Sequence, residues 1–423
     1  MSVRKFPALV ALVALCLNCS QVRAYSVLTH EQIVDLAWED HIQPLLLKRY
    51  PKSTPEDLRR AHAFAYGGSL VQDMGYYPFG KKFFSDLVHY VRTGDFVEAL
   101  LRDSSDVNEY AFALGALAHY SSDNIGHPVI NQVTAIEFPK LRAKFGNEVT
   151  YADDHKAHIR TEFGFDMVQV AKNRYTSDRY HDFIGFEIAK PLLDRAFQET
   201  YGLQLKDVLG DEDLAIGSFR RAVSNFIPAM TRVALLNKRA DWVAESKTSS
   251  RQKFLYHITR SNYEKEWGKG YRRPGIGSRI LAFLLRLIPK VGPATALDFK
   301  VPSQRTEDMY IKSVNNTIDN YNGLLREVGH NELKLQDKDF DTGRETAPGE
   351  YSLTDSTYAK LLDEHSKHQF KEITPELRDN ILAFYAHAPQ TKMRKEKSWK
   401  RAEVELDRLK AWSLLPTTPP APE

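Results

Sequence analysis

Apolar residues recur along this chain at three- and four-residue steps far more often than in alternation, which is the period of an amphipathic helix rather than of a strand. Thr29-His30-Glu31-Gln32 has the form of a capping box, and Ile33, Trp38, Ile42 and Leu45 follow broadly on one face until Pro51. Further amphipathic stretches run near 55–66, 83–101, 106–127, 154–173, 180–201, 212–239, 305–328, 353–369, 374–387 and 392–412. Strand-like runs are scarce, so the pattern predicts an all-α, multi-helix bundle. Turn formers or charge interrupt it at Glu245–Lys253, Gly268–Gly277 and His330–Gly349. The first break places a boundary near 245, between a helical domain over 25–245 and a C-terminal helical extension over 246–412. The proline-rich tail, 413–423, is expected to be disordered.

The amino end changes how the rest is read. Arg4 and Lys5 precede an apolar run from Phe6 to Leu17, and Val22 and Ala24 are small residues at the −3 and −1 positions of a signal-peptidase site. The run is shorter than the ~20 residues a membrane-spanning helix needs. Residues 1–24 are therefore expected to be a signal peptide, giving an exported protein, periplasmic or secreted, that begins at Tyr25. A lipoprotein reading of Cys19 is disfavoured by the polar Asn18 beside it.

Both cysteines of the 423-residue chain, Cys16 and Cys19, leave with that segment. Thiolate ligands are then excluded, and a bound metal must take His, Asp, Glu or backbone donors, which suits zinc. Removing Arg4, Lys5 and Arg23 equalises Lys+Arg with the 55 Asp+Glu, so bulk charge does not recruit nucleic acid.

Of the 14 histidines, eight lie between His30 and His158, several with a carboxylate at helical spacing. Ala118-His119-Tyr120-Ser121-Ser122-Asp123-Asn124-Ile125-Gly126-His127-Pro128 is the densest case. Each four-residue step on a helix turns about 40° and rises about 6 Å, so His119, Asp123 and His127 share a face and could feed two neighbouring metals. His158 and Glu162 repeat the spacing; Asp73, His89 and His30 stand singly. A lone His at a helix start is commonly a surface or satisfied buried imidazole, and an i, i+4 His–carboxylate pair is commonly an exposed hydrogen-bonded pair. The triple after Phe112–Leu117 is harder to dismiss, because three polar groups on one face are costly to bury unless paired or metallated.

In this order, His30, Asp73, His89, His119-x3-Asp123-x3-His127, His158-x3-Glu162 resembles the zinc-dependent phospholipase C superfamily. That superfamily includes the single-strand-specific fungal nucleases and the N-terminal domain of glycosylphosphatidylinositol-specific phospholipase D. The resemblance covers about residues 25–190. It implies three zinc ions in a helical cleft: one on Asp73, His89, His119 and Asp123, with Asp123 bridging to a second on His30 and the α-amine and carbonyl of Tyr25. The third takes His127, His158 and Glu162. His155 is a weaker alternative to His158. The step from Asp123 to His127 is shorter than in the bacterial phospholipases C and the fungal nucleases. With Phe163-Gly164-Phe165-Asp166 it looks closer to the phospholipase D domain. Tyr25 stands where many members have Trp.

The implied activity is phosphodiester hydrolysis by a zinc-bound hydroxide attacking phosphorus, with Asp73 and Asp123 as catalytic residues and Asp73 orienting or deprotonating the water. A phospholipid substrate, cleaved with phospholipase C rather than D regiochemistry, and contact with a membrane surface are expected. The alternatives are a nuclease of the same metal design and a non-catalytic zinc-stabilised binding protein; no protein partner is inferred. Ile280–Ile288, flanked by Arg279 and Lys290, reads either as an interfacial helix or as a buried one ended by Pro289. Tyr76-Tyr77-Pro78-Phe79 reads either as a pocket wall or as packing. Asp337–Gly343 matches a calcium loop poorly, with Gly one place late, and the basic run Lys392–Arg401 reads as a solvated helix face.

Overall fold

The computed structural model describes residues 27–172, 185–227, 255, 299–388 and 397–413. In chain order its helices are α1 Val27–Ala37, α2 Gln43–Arg49, α3 Pro55–Val71, α4 Lys82–Tyr90, α5 Thr93–Asp103, α6 Val107–Glu137, α7 Pro139–Phe145 and α8 His155–Ala171. They continue with α9 Lys190–Tyr201, α10 Leu205–Leu209, α11 Glu212–Arg221, α12 Gln304–His330, α13 Ser352–Lys367, α14 Pro375–Ala386 and α15 Lys397–Ser413. Strand pairing among the described residues is one antiparallel pair, β1 Lys338–Asp339 with β2 Arg344–Glu345. The fold is all-α, as the periodicity predicts. The expected signal peptide, Tyr25, the boundary near 245, Ile280–Ile288 and all but the first residue of the tail lie outside the described residues. Among those described, no helix is long and apolar enough to cross a membrane.

Four local readings differ from the sequence pattern. Thr29 is not a cap, because α1 starts two residues earlier. The Thr29 hydroxyl donates to Asp166 Oδ1 at 2.8 Å and meets the Tyr310 hydroxyl at 2.6 Å, while Leu28 N donates to Asp166 Oδ2 at 3.0 Å. The capping box stands instead at Thr54 and Asp57, opening α3. The stretch near 83–101 is two helices, split where Arg92 adopts a left-handed φ of 49°. Its guanidinium is tied there to Asp95 at 2.6 Å and to the Thr200 carbonyl at 2.8 Å. The stretch near 180–201 is helical from Lys190 on, with 185–189 outside the helix.

The fourth difference bears on function. The helix expected to end at His127 runs to Glu137, straight through Pro128. Proline removes the amide that would bond to the carbonyl four residues back, here that of Asn124. Gly343, with a left-handed φ of 68°, packs onto that carbonyl so closely that an added Cβ would lie 2.3 Å from Asn124 O.

The core is built on the crossing of α3 and α6, the most extensively packed pair of elements. Glycines allow it from both sides: a Cβ on Gly68 would lie 1.9 Å from Phe112 O, and one on Gly115 2.0 Å from Ala65 O. On another face of α6 lies α12, with Tyr321 donating to Leu114 O at 2.8 Å and Ser121 to Asn320 Oδ1 at 2.9 Å. Residues beyond 299 thus share one apolar core with α3 and α6.

Candidate metal centre

The α3–α6 crossing positions the chemistry. The buried face of α6 presents His119, Asp123 and His127 in successive steps of four, each no more than 1% exposed. The short 3-10 turn that ends α3, Gln72–Tyr76, supplies Asp73; α4 supplies His89, α1 His30, and α8 both His158 and Glu162. All eight side chains are buried.

Asp123 is their meeting point. Its carboxylate oxygens lie 3.1 Å from His119 Nε2, 3.4 Å from His30 Nε2, 3.5 Å from His89 Nε2 and 3.8 Å from His127 Nε2. Asp73 Oδ1 is 3.4 Å from His89 Nε2. Two sets of donor atoms lie within 4.8 Å of one another: Asp73, His89 and His119, and His30, His119 and Asp123. Beside them His127 Nε2 is 3.7 Å from Glu162 Oε1, which His158 Nδ1 approaches to 2.9 Å. His155 stands apart on the first turn of α8, its ring 6.0 Å from that of Tyr151.

Hydrogen bonds from outside this set decide which nitrogens face inward. His89 Nδ1–H donates to Ser85 O at 2.8 Å and His119 Nδ1–H to Ser69 O at 2.9 Å, so each ring, when neutral, points an Nε2 lone pair at Asp123. These Nε2 atoms are 3.4 Å apart. For His158 the order reverses. The Asn131 amide donates to Asp341 O at 2.8 Å, leaving Asn131 Oδ1 to accept from His158 Nε2–H at 2.9 Å. The His158 Nδ1 lone pair then faces Glu162. Lone pairs gathered this closely in a dry site need protons or a cation between them.

Electrostatics agree. Burial would raise Asp123, but the His119 and His127 imidazoles and hydrogen bonding to His119 and His89 hold it well below the usual carboxylate range. Burial, joined by neighbouring His119, keeps His30 well below its ordinary value, hence neutral and fit to ligate. Burial alone would lower His89, yet Asp123 and Asp73 outweigh it and push it up to about 9. Apart from the histidines of this cluster, no donor among the described residues reaches Asp73 Oδ1 or either oxygen of Asp123. An all-nitrogen-and-oxygen donor set with orphaned anionic oxygens fits zinc, so the residues match the implied ion.

The other motifs separate. Tyr76 and Tyr77 are buried, Tyr76 beside His89 and Tyr77 against Phe219, whereas Phe79 is 47% exposed on a left-handed φ of 63°. The carboxylates of Asp337–Gly343 diverge. Asp337 caps the start of α5 through Gly94 N and Asp95 N, Asp339 accepts from Asp341 N and Thr354, and Asp341 turns toward His127; they do not form a calcium loop. Sequence reasoning missed Ser69, Ser85, Asn131 and Asp341 as orienting groups. Of these only Asn131, one turn beyond His127 on the same helix, left a signal in the spacing.

A helical protein with a buried, carboxylate-bridged histidine cluster suited to zinc is the class these observations define. Residues 29–210 match the family model described as zinc dependent phospholipase C, so that segment is similar to the zinc-dependent phospholipase C family. That similarity supports a phospholipase C-like hydrolase. No curated protein and no solved structure matches the chain.

One consequence is measurable directly. With His89 at about 9, its ring is an imidazolium at pH 7, and it must lose that proton to ligate. Zinc loading at pH 7 is expected to release at least ~1 proton per chain, and apparent affinity should rise up to ~10-fold per pH unit until about pH 9. In the metal-free chain the same raised value stabilises the fold fully below 6.5 and is lost as pH rises through about 9. Calorimetric titration in buffers of differing ionisation enthalpy checks this; heats independent of buffer contradict it.

Proposed function

We propose that this chain is an exported trizinc phosphodiester hydrolase that removes phospholipid head groups with phospholipase C regiochemistry. The observation that carries the reading is the convergence of eight buried ligand-type side chains from five separated segments around Asp123 and His127. Asp73, His89, His119 and Asp123 would hold one ion, and Asp123 with His30 and the processed amino end at Tyr25 a second. His127, His158 and Glu162 would hold the third. Zinc there supplies positive charge that acidifies water and stabilises negative charge building on the phosphoryl oxygens.

The protein groups do the rest. Asp73 Oδ1 takes a proton from the attacking water as the water oxygen bonds to phosphorus and the diacylglycerol oxygen leaves, a proton returning to that oxygen to complete hydrolysis. Ser69 and Ser85, through their carbonyls, keep His119 and His89 in one tautomer throughout. Burial excludes bulk water and keeps these charges effective. Phe79, exposed at the turn that follows Asp73, is suited to meet an apolar substrate or surface.

Purified processed protein, zinc-loaded, is expected to release phosphocholine from phosphatidylcholine vesicles and no nucleotides from single-stranded DNA. Nucleotide release without phosphocholine would replace this reading with the nuclease one. Bound zinc with neither product would leave a zinc-stabilised binding protein.

A further inference from the structure

Asp341 belongs to the C-terminal part of the chain, far outside the family match, yet it is fully buried against the centre. Its Oδ2 accepts hydrogen bonds from the hydroxyls of Tyr90, at 2.8 Å, and Tyr351. Its Oδ1 is thereby aimed at His127 Nδ1, 3.3 Å away. That spacing is slightly longer than an ordinary N–H···O bond, a gap that a small ring rotation closes.

The loop carrying Asp341 is seated by several independent contacts. Phe340 N donates to His89 O at 3.1 Å, and Asn131 donates to Asp341 O. Asp339 anchors the turn through Asp341 N at 2.9 Å and Thr354 at 2.8 Å. Gly343 closes onto the Asn124 carbonyl that Pro128 leaves without its amide, where only glycine fits. Pro128, inside α6, opens the notch in which this loop sits.

We propose that Asp341 is a positioning residue for the zinc centre: it accepts from His127 Nδ1–H and so keeps the Nε2 lone pair of His127 aimed between Asp123 and Glu162. The same loop reaches the neighbouring ligand, because Asn131, fixed by Asp341 O, holds His158 with Nδ1 inward. The C-terminal part of the chain thereby completes a centre whose side-chain ligands all come from the family segment. This role rests on the zinc reading above.

The geometry dictates what an amide would do. In Asp341→Asn the single oxygen stays with the two tyrosines, and the NH2 group faces His127 Nδ1. His127 must then carry its proton on Nε2, where it cannot ligate. The test uses the full processed chain, stripped and titrated with zinc against a chelator, together with nitrogen-15 spectra of its histidines. Wild-type protein is expected to show His127 protonated at Nδ1 when loaded, a measurement that needs no variant. Asp341→Asn should move that proton to Nε2 and weaken the ion beside His127 by roughly 10- to 100-fold, with uptake at Asp73, His89 and His119 retained. Gly343→Ala, which alters no polar group, should weaken the same ion by unseating the loop. Wild-type His127 protonated at Nε2, or an Asp341→Asn chain that binds every ion as tightly as wild type, overturns the role of Asp341 while the zinc centre stands. Wild-type protein that takes up no zinc overturns both.

Discussion

Asp123→Asn is expected to lower hydrolysis by at least ~1,000-fold and to leave the purified protein short of zinc, with its helix content unchanged. The amide matches the carboxylate in shape, so no cavity opens at a fully buried site. What disappears is charge. Four imidazoles turn toward this carboxylate from α1, α4 and α6, and His119 and His127 keep it ionised against the pull of burial. Asn offers one neutral oxygen where the proposed bridge would need two anionic ones, and its NH2 faces nitrogen lone pairs. The several kcal/mol that metal charge is worth in such hydrolyses corresponds to that loss, at about 1.4 kcal/mol per tenfold in rate. Elemental analysis beside a vesicle assay and circular dichroism reads all three quantities. A folded variant with full zinc and full activity would remove Asp123 from the bridge.

Residues 119–127 could be read from sequence because a single helix carries them. Local periodicity alone puts His119, Asp123 and His127 on one face, and the same holds for His158 with Glu162. Asp73, His89 and His30 have no such internal geometry. They were legible only through their order along the chain, that is, by resemblance. The orienting groups were legible by neither route. Ser69 and Ser85 act through backbone carbonyls, which carry no side-chain signature, and Asp341 stands more than two hundred positions from His127 in the chain. Two errors share a cause. Pro128 looked like a helix end and Thr29 like a helix start because both local rules are sound in isolation. At Pro128 a loop from residue 343 occupies the broken turn, and at Thr29 the acid of Asp166 takes the hydroxyl. Tertiary partners overrode local preference at the two places where the centre is braced.

The same bracing predicts that the smallest side chain is intolerable at Gly68 and Gly115. Each added methyl would meet a backbone carbonyl, Phe112 O at 1.9 Å or Ala65 O at 2.0 Å, and neither can rotate away as the end of a flexible side chain would. The helices must separate instead. Either substitution to Ala is expected to cost about 3 kcal/mol, the upper part of the usual overpacking range, and to lower Tm by roughly 3–4 °C despite alanine's better helix propensity. Zinc affinity should fall as well in molecules that remain folded, because Ser69 adjoins Gly68 and its carbonyl is the acceptor that keeps His119 Nε2 inward. Gly217 on α11 is the matched control: a Cβ there meets nothing within 4 Å, so Gly217→Ala should be neutral or stabilising by up to ~1 kcal/mol. Thermal melts with and without zinc on the three variants separate the two effects. A Gly68→Ala chain that melts with wild type and binds zinc equally well would show that α3 and α6 need not approach so closely to build the centre.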